Sequence, residues 1–129
     1  MPKVKQLTVW VEDRPGILGE VASALGTKKV NIQAFMAVVV EGRGAIRMIL
    51  DKPALTKKIF AEHGWENSEE DVVAVTLADK PGSLGSTAGK LGGAGINIQY
   101  AYTGSAKSAR RVTTYFAVAD VEAALKALR

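Results

Sequence analysis

Apolar and polar positions alternate near the start of the chain. Leu7, Val9 and Val11 interleave with Gln6, Thr8 and Trp10, a period of two that predicts a strand with one buried face. The spacing then becomes helical: Leu18, Val21, Ala22 and Leu25 form one apolar stripe. A second strand is expected over residues 30–40, and Glu41-Gly42-Arg43-Gly44 reads as a tight turn. A third strand follows over residues 45–50, then a helix with Leu55 and Ile59 on its inner face. The series recurs further on. Val73, Val75 and Leu77 mark a strand, Leu84, Ala88 and Leu91 a helix, residues 96–103 and 112–118 two strands, and Val121, Leu125 and Leu128 a last helix. Gly26 and the pair Gly92-Gly93 are expected to stop the first helix of each series.

The recurrence is a true repeat. Asp13-Arg14-Pro15-Gly16-Ile17-Leu18-Gly19 returns as Asp79-Lys80-Pro81-Gly82-Ser83-Leu84-Gly85, and Asn31-Ile32-Gln33 as Asn97-Ile98-Gln99. Both matches carry one offset, and 11 of 21 positions agree between residues 13–33 and 79–99. The chain is therefore read as two repeats, residues 1–68 and 69–129. Each runs strand-helix-strand-strand-helix, an α+β, ferredoxin-like plan that is completed by a last strand. Residues 65–70 supply the only candidate for that strand in the first repeat. The second repeat reaches residue 129 inside its last helix and is expected to lack it. Its first strand would then present an open edge, which proteins normally cover, so pairing between repeats or between chains is expected there. A unit of this size buries only about 60% of its unfolded surface, which predicts two repeats packed together.

Composition narrows the function. The longest apolar run, residues 34–40, is far below the ~20 residues that a membrane helix needs, so a soluble, cytoplasmic protein without membrane contact is expected. There is no cysteine, which removes disulfides and thiolate metal sites. The net charge of +4 is spread over both repeats, whereas a nucleic-acid binder concentrates its basic residues. The central strand candidates also offer one tryptophan and no aromatic pair on which bases would stack. The single histidine, His63, reads as a helix C-terminal residue favouring the helix dipole, and a lone histidine without cysteine is a poor zinc site. Gly92-Gly93-Ala94-Gly95 follows a helix, the wrong order for a dinucleotide fingerprint. With no nucleophile or acid–base constellation, no catalysis, metal or cofactor is expected.

The repeated Asp-x-Pro-Gly-x-Leu-Gly is the informative motif. Pro15 and Pro81 suit the first helical position, and Asp13 and Asp79 stand where a carboxylate can cap the helix. Capping leaves Gly19 and Gly85 unexplained, since glycine inside a helix costs about 1 kcal/mol relative to alanine. Close approach of a ligand or a facing backbone would compensate. A helix start also offers free N–H groups and a partial positive charge to an anion. With Asp13 or Asp79 nearby for an ammonium group, this is a receptor for both halves of an amino acid. Asn31 and Asn97 open the second strand of each repeat, as turn residues or as ligand contacts from across a pseudo-twofold seam. Trp10 is either shielded by a neighbouring side chain or a dimer contact. Lys107, Arg110 and Arg111 are read as a solvated hairpin.

The pattern Asp-Arg-Pro-Gly-Ile-Leu … Val-Asn-Ile-Gln resembles the ACT domain, and its second copy matches as well. The chain looks like a stand-alone tandem ACT protein. The resemblance implies two βαββαβ repeats and regulatory binding of an amino acid at the domain interface. It places the site on Asp13, Pro15, Gly16, Ile17, Leu18, Asn31, Ile32 and Gln33, with Asp79, Pro81, Gly82, Ser83, Leu84, Asn97, Ile98 and Gln99 as the second set. Ser83 stands where the first copy has Ile17, so the two sites are expected to differ. Expected partners are the amino acid, a second copy of the chain as a homodimer, and a metabolic enzyme. Docking on such an enzyme, with ligand binding secondary, is the alternative function.

Overall fold

The computed structural model describes residues 2–105, 108 and 110–129. Ten elements follow in order: β1 (Lys3–Glu12), α1 (Ile17–Thr27), β2 (Ile32–Val40), β3 (Arg43–Leu50), α2 (Pro53–Glu62), β4 (Glu66–Ala78), α3 (Ser83–Gly93), β5 (Ile98–Gly104), β6 (Arg111–Val118) and α4 (Val121–Ala127). From β1 to β4 the order is βαββαβ, and from β4 to α4 it is βαββα, with β4 serving as the last strand of the first repeat and the first of the second. Among the described residues no helix is long and apolar enough to cross a membrane. The chain forms two compact units, Lys5–Glu70 and residues 2–4 together with Asp71–Arg129.

In the first unit β3 is central, antiparallel to β1 (Leu7 opposite Met48) and to β2 (Phe35 opposite Met48). Leu7, Val9, Ile46 and Met48 face the helices and pack with Val21, Leu25, Ile59 and Phe60. The β2–β3 turn carries positive φ at both Glu41 (50°) and Gly42 (78°), the turn whose twist matches a hairpin. The opposite sheet face departs from the alternation pattern. Gln6 and Thr8 are 0% and 2% exposed, and Ala34, Ala45 and Ile49 are buried with them. Buried polar groups need partners, and Glu70 supplies them, accepting from Gln6 Nε2 at 3.0 Å and from Thr8 Oγ1. Trp10 is half-buried with the Arg43 guanidinium 5.2 Å over its ring, and Arg43 pairs with Glu66 at 3.0 Å. That contact matches the shielded alternative for Trp10. His63 caps α2 and stacks on Trp65, ring centroids 4.4 Å apart.

The second unit repeats the plan with β6 central, antiparallel to β4 (Val73 opposite Phe116) and to β5 (Tyr102 opposite Tyr115). Its core joins Val73, Val75, Leu91, Phe116, Ala124 and Leu128. Tyr102 and Tyr115 stack at 5.4 Å, an aromatic pair in strands not considered for base stacking. Tyr115 is only 5% exposed, which bars its ring from a base, and burial pushes its hydroxyl pKa up. Asp120 caps α4 by accepting the Ala123 N–H at 3.0 Å. Arg110, at φ 64°, accepts the Asp79 N–H at 2.7 Å. Arg110 and Arg111 are exposed, while Lys107 lies outside the described residues.

Two expectations are corrected or sharpened. Gly26, Gly92 and Gly93 do not stop their helices but lie in the last turns of α1 and α3. The left-handed residue comes later, at Lys29 (φ 60°) and its counterpart Gly95 (φ 73°). There Val30 N–H returns to Leu25 O at 3.1 Å and Ile96 N–H to Leu91 O at 2.9 Å, the closing bonds of a Schellman-type end. The N–H of Ala74 in β4, for which no pairing segment was assigned in sequence, donates to Pro2 O at 3.0 Å, and Lys3 Nζ sits 3.3 Å from Glu122 Oε1. The opening residues of β1 thus hold on to the second unit.

Two outcomes are expected. Lys29→Gly, which copies the second repeat, relieves a left-handed β-carbon and raises unfolding free energy by about 1 kcal/mol, read by chemical denaturation. Deleting residues 2–4 orphans the buried Ala74 N–H and costs about 1–3 kcal/mol. Amide exchange should then rise in β4 and α4 while Val9 and Met48 stay protected.

Candidate functional site

The motif builds one device in both repeats, and it is not the expected cap. Arg14-Pro15-Gly16-Ile17 is a turn in which Ile17 N–H donates to Arg14 O at 3.3 Å and Gly16 adopts φ 86°, ψ −7°. Lys80-Pro81-Gly82-Ser83 matches it, with Ser83 N–H to Lys80 O at 3.3 Å and Gly82 at φ 89°, ψ −16°. Proline then left-handed glycine is the sequence of a type II turn. Pro15 and Pro81 therefore sit in the turn, before the first helical position, and the N-caps are Gly16 and Gly82, with no side-chain cap bond. Asp13 and Asp79 stand three residues before the caps, too early to close the helix. The helix starts end up open because glycine carries no capping oxygen. The N–H groups of Leu18 and Gly19, and of Leu84 and Gly85, fall in the first helical turn, where no intrahelical acceptor exists.

Gly19 and Gly85 are the third residues of α1 and α3, and an added β-carbon at either meets nothing within 4 Å. No facing backbone explains them.

Around the first helix start lies a cavity of about 300 Å³ lined by Val11, Asp13, Ile17, Leu18, Val39 and Ile46, among others. Asp13 is exposed, and its carboxylate has no hydrogen bond or ion pair among the described residues. Its neighbour Arg14 is engaged, 2.5 Å from Glu20 and 3.9 Å from Glu12. The hydrogen bond and then the charge of Glu20 raise the Arg14 pKa, opposed by desolvation and helped least by the charge of Glu12. A second hollow of about 220 Å³, lined by Leu18, Ala22, Phe35 and Met48, shares Leu18 and Ile46 with the first. Phe35, Val39 and Leu18 are exposed at 51%, 58% and 39%. Strand periodicity alone did not single out Phe35 and Val39; only the position of α1 over the sheet does. In the second unit a cavity of about 470 Å³ is lined by Lys80, Pro81, Gly82, Ser83, Ser86 and Thr87, and Leu84 is 56% exposed beside it.

The strand-start residues stand elsewhere. Within a unit they lie at the far end of the helix, about 16 Å away for an eleven-residue helix at 1.5 Å per residue. Asn31 N–H donates to Asp51 Oδ1 at 2.9 Å and Asn31 O accepts Asp51 N–H at 3.2 Å, which ties the start of β2 to the end of β3. Ile32 packs on the core and Gln33 is exposed. In the second unit Asn97 and Gln99 line another cavity of about 470 Å³ with Asp120, and Ile98 packs on the core. The first cavity thus brings together Asp13, Ile17 and Leu18, with Ile32 beside Leu18 in the adjoining hollow, and the second brings together Pro81, Gly82 and Ser83; Asn31, Gln33, Asn97 and Gln99 line neither helix-start cavity.

A family model described as an ACT domain pair matches residues 2–111, and the chain belongs to that family. No curated protein matches it. Among solved structures it is similar to a protein of Bacteroides thetaiotaomicron, with a TM-score of 0.88 and 23% identity over 98% of this chain and 86% of that one. It is also similar to the regulatory subunit of aspartate kinase from Thermus thermophilus in its ligand-free form, with a TM-score of 0.69 and 20% identity over 99% and 95% of the two chains. The corresponding subunit from Thermus flavus gives 0.62 and 20% over 98% and 93%.

Glycine 16 and glycine 19 separate the turn from the open helix face. Gly16→Ala forces a β-carbon into left-handed backbone and should cost about 1–2 kcal/mol. Gly19→Ala meets open space and should stabilise by about 0.5–1 kcal/mol, both read from thermal unfolding.

Proposed function

We propose that this chain is a non-catalytic regulatory module that holds a free amino acid at the helix starts of its ACT repeats. The observation that carries the reading is the uncapped start of α1, with first-turn amides beside the unpartnered Asp13 carboxylate at an apolar cavity. Amides at a helix start accept a carboxylate, and Asp13 accepts an ammonium group. The side chain of the ligand is left to the cavity wall. Titratable clusters play no part in this reading, so binding and the shift in population that follows it are the expected output. Asn31, Ile32, Gln33 and their counterparts Asn97, Ile98 and Gln99 belong to the proposal as positions that a ligand reaches only when another ACT unit presents them.

A second reading is that the module docks on a metabolic enzyme. The exposed Phe35 and Val39 favour it, since exposed large apolar groups mark contact surfaces. Two of the structural neighbours are regulatory subunits by name. A homodimer is compatible with both readings.

Thermal unfolding in the presence of each of the twenty amino acids tests the first reading. A ligand at a hundred times its dissociation constant stabilises the fold by about 2.7 kcal/mol, and Asp13→Asn should remove most of that shift while the ligand-free midpoint stays put. A flat response across all twenty, together with a stoichiometric enzyme co-purifying from the native source, would leave the docking reading in place.

A further inference from the structure

The two helix starts are alike in backbone and unlike in wall. In the first unit the wall is aliphatic: Ile17, Leu18, Val39 and Ile46 around the 300 Å³ cavity, with Phe35 and Ala22 along the adjoining hollow. In the second unit the same turn is ringed by the Lys80 ammonium and the hydroxyls of Ser83, Ser86 and Thr87. At the repeat offset, Ser83 stands for Ile17, Thr87 for Val21, Ala101 for Phe35 and Thr103 for Ala37. These four run from apolar to polar or small, while Val11 is matched by the larger Leu77 and Leu18 by Leu84. The turn and the uncapped helix start are thus duplicated while the wall is not, and Asp13 lines the first cavity whereas Lys80, not Asp79, lines the second.

We infer that the first repeat alone is a site for an L-amino acid with a branched aliphatic side chain, such as valine, leucine or isoleucine. This rests on the amino-acid reading above and names its ligand class. The cavity is at the small end of ligand pockets, which run from about 300 to 1,000 Å³, so it suits a compact ligand. Its single carboxylate is matched by the ligand's ammonium, leaving no counter-ion on the aliphatic wall for a charged side chain. A hydroxylated side chain there would lose its water partners without replacement. In the second unit an aliphatic side chain would strip water from Ser83, Ser86 and Thr87 and from the Lys80 ammonium, against the smaller apolar contact that Leu77, Ala78 and Pro81 offer.

Calorimetric titration of the whole chain with L-valine, L-leucine, L-isoleucine, L-threonine, L-lysine, L-aspartate and L-phenylalanine tests this. The branched aliphatic amino acids should bind best, with one ligand per chain. Leu18→Ser, at a position outside the core, should weaken L-leucine by roughly tenfold or more, the value of lost apolar contact in a selective pocket. Ser86→Ala, in the wall of the second cavity, should leave L-leucine affinity unchanged. A panel whose best binder is hydroxylated, charged or aromatic, or a stoichiometry of two for L-leucine, overturns the inference and leaves the amino-acid reading standing. No heat with any of the seven overturns the inference, and a flat response to all twenty amino acids removes the reading beneath it.

Discussion

Both repeats depend on a helix that begins at a left-handed glycine. Once proline and glycine commit the chain to a type II turn, the residue at the N-cap is glycine, which has no side chain to satisfy the first-turn amides. Gly16 at φ 86° and Gly82 at φ 89° therefore leave an electropositive helix end facing outward twice in one chain. An ordinary soluble protein closes such an end with serine or aspartate, as Asp120 does for α4 of this chain. The start of α2, at Lys52, also lacks a side-chain cap, so what sets α1 and α3 apart is the left-handed glycine at the cap and not the missing cap alone.

The remaining architecture holds that end in place. The Leu7–Val9–Met48 face of the first sheet fixes α1 through Val21 and Leu25, so the turn cannot drift from the sheet. Buried Gln6 and Thr8 bond the partly buried Glu70, and such bonds penalise a slip in strand register, because a one-residue shift would turn every side chain over. A small cavity between α1 and the sheet is thereby kept at a defined width, which a selective pocket requires.

Much of this was legible in the sequence. Strict alternation from Leu7 to Val11, the helical spacing of Leu18 to Leu25 and the duplication of Asp-x-Pro-Gly-x-Leu-Gly carried the element order and the two-repeat plan, because local periodicity reports burial directly. Proline beside glycine fits the first helical position by sequence and forms instead a turn of its own. The dipeptide supports both, and only the sign of φ at Gly16 separates them. Gly26 resembled a stop signal, whereas the chain reverses at Lys29, a residue with no left-handed preference that the second repeat replaces by Gly95. The burial of Gln6 and Thr8, and the bond from Ala74 to Pro2, are products of pairing between distant segments, which composition and spacing do not encode. The candidate site was half visible. Asp13, Ile17 and Leu18 do line one cavity and Ile32 reaches the adjoining hollow, while Asn31 and Gln33, equally prominent in the repeat, line neither.

Backbone amide spectra report on the central claim most directly. On adding L-valine to the isotope-labelled chain, the largest shift changes should fall on the N–H groups of Leu18 and Gly19, with smaller ones along Ala37 and Val39. Changes centred on another surface, or none at saturating ligand, would contradict the account of the open helix start as a receptor.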